Sequence, residues 1–143
     1  MDREILFRGR TIKTRYGGGK WIEGFFVISC AGRAEMEPAI ITGTERGCFI
    51  TEFVDPATVG QFTGLCDKNG VKIFEGDKLY CEARLDKAEM YVVFEQGQFR
   101  MVLCDKFKEY ETGRGYYDIN SFQKTVIGKK RDTPELAKEE ESE

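Results

Sequence analysis

Between Gln61 and Asp77 the chain reads QFTGLCDKNGVKIFEGD. Its carboxylates Asp67, Glu75 and Asp77, with Asp55 shortly before them, are residue types that could hold a cation or move a proton. A calcium loop is the first candidate, because DKNG resembles the head of one. Aligning Gly70 with that loop's glycine puts Leu65 at the first ligand position and Gly76 at the last, so the spacing fails. Glu75 and Asp77 could share a strand face as an acid/base or magnesium pair, but no further ligand or base accompanies them. A hydrolase built on Asp55, Asp67, Glu75 and Asp77 is therefore the least favoured of three functional readings.

Other chemistries are narrowed by composition. The chain has no histidine, which removes the commonest general base and metal ligand and every Ser/His or Cys/His dyad. Cys30, Cys48, Cys66, Cys81 and Cys104 stand singly, without a CxxC pair. This pattern argues against a disulfide framework or zinc knuckle and predicts buried, reduced thiols. Cys66, with Lys68 close by, is the best of them as a nucleophile. YGGGKW (Tyr16–Trp21) lacks the first glycine of a phosphate loop and has Trp21 where a magnesium-binding hydroxyl belongs, so it reads as a hairpin connection. No cofactor and no metal site is expected.

The amino end is locally basic, with Arg3, Arg8, Arg10, Lys13, Arg15 and Lys20 against Asp2 and Glu4. Arg8, Arg10, Lys13 and Arg15, joined by Tyr116 and Tyr117 of GRGYYD, form a candidate surface for single-stranded nucleic acid through charge and stacking. The competing reading is a solvated strand face and an exposed loop. It is favoured by the net charge of −3 and a pI near 5.3, which are not the footprint of a nonspecific nucleic-acid binder.

These residues must be positioned by a sheet-rich scaffold. The 143 residues, 41% hydrophobic and 33% charged, suit one globular domain over 1–131 with its own core. Apolar residues mostly alternate, as in strands. Strands are expected around Glu4–Ile12, Lys20–Cys30, Ala39–Gly43, Cys48–Phe53, Lys78–Arg84, Met90–Cys104 with a turn at Gln96-Gly97, and Phe122–Gly128. A tight turn, with Asn69 and Gly70 at positive φ, is expected between Phe62–Leu65 and Val71–Phe74. Asp55 and Pro56 cap one helical turn. Thr133 and Pro134 start a short C-terminal helix over Thr133–Glu141, and the 132–143 segment is expected to fray into an acidic tail. No signal-peptide run and no stretch of roughly 20 apolar residues appears, so a cytoplasmic protein without membrane contact is expected.

VDPATVGQFTGLCDKNGVKIFEGDKL (Val54–Leu79) resembles the signature of the YopX family of bacteriophage and prophage proteins. The residues that carry the likeness are Asp55, Pro56, Thr58, Val59, Gln61, Phe62, Thr63, Gly64, Leu65, Asp67, Lys68, Asn69, Gly70, Ile73, Phe74, Glu75, Gly76 and Asp77. REILFRG (Arg3–Gly9), WIEG (Trp21–Gly24), VIG (Val126–Gly128) and PEL (Pro134–Leu136) are similar to further family segments, with Lys129 in place of an asparagine. The resemblance implies a mostly β, phage-derived protein of a bacterial cytoplasm and brings no catalytic residue with it. The fold expected is mainly β: two packed small sheets, the second half an SH3-like barrel, with a short C-terminal helix. The leading function is a noncatalytic accessory protein that binds a protein partner or a second copy of itself. Nucleic-acid binding is the alternative.

Overall fold

The computed structural model describes residues 4–12, 15, 17–30, 35–82, 87–104, 116–120 and 123–129, with the Tyr116 side chain left aside. The chain divides into two compact units, Met1–Phe62 and Thr63–Glu143. The division falls just inside the signature segment.

In the first unit, β1 (Phe7–Arg10), β2 (Trp21–Ser29), β3 (Glu37–Glu45) and β4 (Cys48–Phe53) form an antiparallel sheet in the order β4-β3-β2-β1. The beginning of β5 (Gly60–Cys66) lies on the other side of β1, with Gln61 opposite Phe7 and Gly60 opposite Arg8. The sheet also curls. An isolated bridge joins Thr11, just past β1, to Val54, just past β4, and Ile12 N–H donates to the Phe53 carbonyl at 3.3 Å. The concave face collects Phe7, Phe26, Ile40 and Val54, with the Phe7 and Phe26 rings 5.7 Å apart.

Curling this tightly leaves no room for side chains at two positions. A Cβ on Gly9 would meet Ile40 Cδ1 at 3.1 Å and Val54 Cβ at 3.2 Å, and one on Gly24 would overlap the Ile41 carbonyl. These glycines close the REILFRG and WIEG segments, so close backbone approach explains both. Thr42 is an extra residue between the pairs Ile41–Thr51 and Gly43–Ile50, and such a bulge increases local twist. The β3–β4 connection is a two-residue turn at Arg46-Gly47, both at positive φ (51° and 79°), the backbone that matches strand twist.

In the second unit, β6 (Lys72–Phe74) follows the rest of β5, and β7 (Asp77–Glu82), β8 (Lys87–Glu95), β9 (Gln98–Leu103), β10 (Tyr116–Asp118) and β11 (Gln123–Lys129) form an antiparallel sheet in the order β10-β9-β8-β7-β11. The Gln96-Gly97 turn forms where expected, with φ of 51° and 78°. Strand alternation sends Leu79, Cys81, Met90, Val92, Met101 and Leu103 to one face, where they build the core with Ile73, flanked by Ala88, Tyr117, Ile119 and Val126.

Two expectations are modified here. Among the described residues β10 and β11 are sheet edges with no pairing between them, so these pairings do not close a barrel. The expected C-terminal helix lies outside the described residues. Among the described residues, no helix is long and apolar enough to cross a membrane.

The crowding at Gly24 generates a test by chemical denaturation. Gly24→Ala should destabilise the protein by about 1–3 kcal/mol through overpacking, whereas Gly43→Ala, whose Cβ would meet nothing within 4 Å, should change stability little.

Candidate functional site

The signature segment resolves into hydrogen-bonded turns. Asp67 is buried, at 8% exposure. Its Oδ1 accepts from the N–H groups of Asn69 (2.8 Å) and Val71 (2.9 Å), and its Oδ2 accepts from Val126 N–H (3.0 Å) on β11. The backbone completes the loop, with Asp67 N–H donating to the Val71 carbonyl (2.8 Å) and Gly70 N–H to the Asp67 carbonyl (3.0 Å). Only Gly70 takes positive φ, at 83°; Asn69 does not, which corrects the expectation. The loop is thus longer than a two-residue hairpin turn and uses glycine for its left-handed position.

Burial acts to raise the Asp67 pKa, but the donors of Val126, Val71 and Asn69, with Lys68 nearby, outweigh it and hold the carboxyl below its ordinary value. The remaining signature residues serve adjacent geometry. Thr63 Oγ1 donates to the Ile73 carbonyl (2.8 Å) and accepts from Leu65 N–H (3.2 Å). Asp77 is fully buried and its Oδ2 accepts from Phe74 N–H (2.8 Å) across the Glu75-Gly76 turn. Gly76 N–H donates to the Val92 carbonyl at 2.8 Å.

Of the carboxylates singled out for hydrolysis, Asp55, Asp67 and Asp77 are thus each engaged by the backbone of a different turn, and Glu75 shares the turn of Asp77. Asp55 caps the short 3-10 turn Pro56–Thr58 of the first unit, its Oδ1 accepting from Ala57 N–H at 3.0 Å, as the sequence predicts. Among the described residues no group of three or more His, Cys, Asp or Glu is arranged to hold a metal ion.

The basic residues also divide. Arg8, expected on a solvated strand face, is instead 5% exposed and lies over the Trp21 ring, 5.0 Å from its centroid. Arg10 donates from Nε to the Gly19 carbonyl (3.0 Å), and its backbone N–H donates to Thr58 Oγ1 (2.8 Å). It lines an open groove of about 390 Å³ with Thr11, Ile12, Gly19, Asp55 and Pro56. Arg15 is exposed, while Lys13 lies outside the described residues. Tyr117 is half-buried against the second unit's core. Tyr116 pairs with Val102 through its backbone. The structure therefore packs Arg8 and Tyr117 against the protein itself, while Arg10 borders the groove.

Cys30, Cys48 and Cys66 are exposed, and only Cys81 and Cys104 are buried, which corrects the expectation of buried thiols throughout. Burial pushes the Cys81 thiol up to about 11, with Lys124 opposing and Cys104 adding to the shift. Lys124, directly across from Cys81 on β11, is itself buried. Burial lowers its pKa, while Cys81 and Asp118 act the other way.

A surface the sequence analysis did not single out lies on the convex face of the first unit. Phe25 is 65% exposed and Phe49 is 71% exposed. The register Phe25–Ile41–Thr51 puts Phe25 on the same face as Thr51, and alternation along β4 adds Phe49. GFFVIS and CFITEF carry apolar residues at both parities, which was the available signal that both faces of these strands are apolar.

A family model described as YopX protein matches residues 27–138, well over half of the chain. The chain belongs to the YopX protein family. The matched span includes the whole Val54–Leu79 signature and begins after REILFRG and WIEG. Among solved structures, the crystal structure of protein EF1440 from Enterococcus faecalis is similar, at 24% identity and a TM-score of 0.52, over 94% of this chain and 99% of that one. At this identity the likeness concerns the fold alone. No curated protein matches the chain.

Two tests follow from this geometry. Because the folded Asp67 pKa lies below its unfolded value of about 3.9, its contribution is fully present above that value and drains away as pH falls through the folded one. Asp67→Asn should cost about 1.5–3 kcal/mol near neutrality, and the gap from the parent should narrow in acid, as read by denaturation at several pH values. Thiol titration of the native protein should modify Cys30, Cys48 and Cys66 quickly, with Cys81 and Cys104 reacting only after unfolding.

Proposed function

We propose that this YopX-family chain is a noncatalytic accessory protein of phage or prophage origin that works in the cytoplasm of a bacterial host by protein contact or self-assembly. The observation that carries this reading is the convex apolar face of the first unit, with Phe25 and Phe49 each more than half exposed. Exposed aromatics sharing a sheet face favour association, since covering them removes apolar surface from water. The engagement of Asp55, Asp67 and Asp77 with backbone donors also supports a role other than acid/base chemistry. For the second unit, the return of the last strand, β11, to pair with the first, β7, supports the finer reading of an SH3-like sheet left open.

The test combines light scattering over a range of concentrations with capture of host or phage proteins by the full chain. The parent should form a concentration-dependent oligomer or retain a specific partner. Replacing Phe25 and Phe49 with lysine should weaken that association while leaving the circular dichroism spectrum intact. A chain that stays monomeric, and whose captured proteins are unchanged by those substitutions, would remove this reading.

A further inference from the structure

The sheet edges differ in how they are guarded. An exposed edge strand offers unpaired N–H and C=O groups and is normally kept short, bulged or charged. In the second unit, β10 has three residues, and β11 carries Lys124 and Lys129 with an irregularity between Val126 and Gly128. In the first unit, β4 has six residues, CFITEF, with a single charge, Glu52.

The open side of β4 can be read from its hydrogen bonds. Val54 N–H donates to the Pro38 carbonyl on the β3 side (3.2 Å), whereas the Phe53 carbonyl faces away from β3 and accepts from Ile12. Backbone groups alternate along a strand, so the N–H and C=O of Phe49 and Thr51 turn to that same outer side. Among the described residues the bridge at Thr11 and Val54 covers only the far end of this edge.

We propose that the β4 edge pairs with the β4 edge of a second copy of this chain, antiparallel about a two-fold axis at Phe49. This rests on the association reading above and names its partner. Such an isologous contact is self-complementary. Phe49 meets its own counterpart in a hydrogen-bonded pair, Cys48 faces Ile50 of the second copy in the adjacent non-hydrogen-bonded pair, and Arg46, in the turn just before β4, has Glu52 of the second copy within reach of its long side chain. The choice of a second copy as occupant comes from that last pairing. Arg46 and Glu52 are both exposed, neither has an ion partner among the described residues, and the axis matches them twice with opposite charge. The pairing also joins the two convex faces, so that the Phe25 and Phe49 side chains of both copies form one apolar surface.

The register is testable by cross-linking and charge exchange. In a Cys30→Ser/Cys66→Ser background, Ile50→Cys should give an intermolecular disulfide with Cys48 on mild oxidation, because non-hydrogen-bonded neighbours bring their Cα atoms to about 4.5 Å. The same background with Ile50 retained should not cross-link. Arg46→Glu should weaken the dimer about tenfold by placing two like-charge pairs in the interface, and adding Glu52→Arg should restore it. These two residues are exposed, so the exchange remains informative if Ile50→Cys folds poorly. A dimer in which the Ile50→Cys variant forms no intermolecular disulfide with Cys48, and which is indifferent to charge reversal, would overturn the β4 pairing and leave the broader association reading standing. A protein monomeric at every concentration would overturn this pairing, and the broader reading would fall only if partner capture were also indifferent to the Phe25 and Phe49 substitutions.

Discussion

One carboxylate organises the second unit. Asp67 accepts backbone donors from its own turn and from Val126, 59 residues further on. The turn and β11 are therefore held by a single side chain, and β11 in turn pairs along β7. A neutral or shorter residue could not satisfy these three donors equally well. Lys68 N–H adds a bond to the Lys124 carbonyl at 3.1 Å beside this contact. The neighbouring ion pair between Lys68 and Glu82, at 3.7 Å and largely exposed, contributes little by comparison.

The first unit depends on a different constraint, the radius of its curl. Gly9 and Gly24 let the sheet bend until Thr11 reaches Val54, and the Thr42 bulge adds twist on the far strand. The short turn at Asp55 continues the same closure. Thr58 Oγ1 accepts from Arg10 N–H and donates to the Asp55 carbonyl at 2.6 Å, while Asp55 N–H donates to the Arg10 carbonyl at 2.9 Å. The Asp55–Thr58 segment is thereby tied to the end of β1. Residues far apart in sequence serve one bend.

Much of this was legible where the information is local. Gln96-Gly97 lies between alternating apolar residues and formed its hairpin, and Asp55-Pro56 formed its cap, because turn and cap preferences act over a few residues. Arg46-Gly47 was not read as a turn, since arginine is not among the residues that favour positive φ. The burial of Arg8 depends on Trp21 arriving on the neighbouring strand, and the curl depends on Thr11 meeting Val54; neither register is written in a local pattern. The candidate site followed the same rule. The role of DKNG as a turn could be read from its composition, whereas the exposure of Phe25 and Phe49 depends on which sheet face is concave.

The reach of the Asp67 carboxylate has a consequence for synthesis. When the signature segment leaves the ribosome, the donor for Oδ2 has not yet been made, and β7 has no strand on its β11 side. The first unit's strand pairings lie within its own residues and are available from the outset. The second unit must wait for a late strand whose contacts span much of its length, and such nonlocal pairing is slow relative to hairpin closure. A nascent chain that stops before Val126 carries an uncovered β7 edge and an incompletely bonded buried acid. The turn at Asp67 is thus completed only once Val126 has been made.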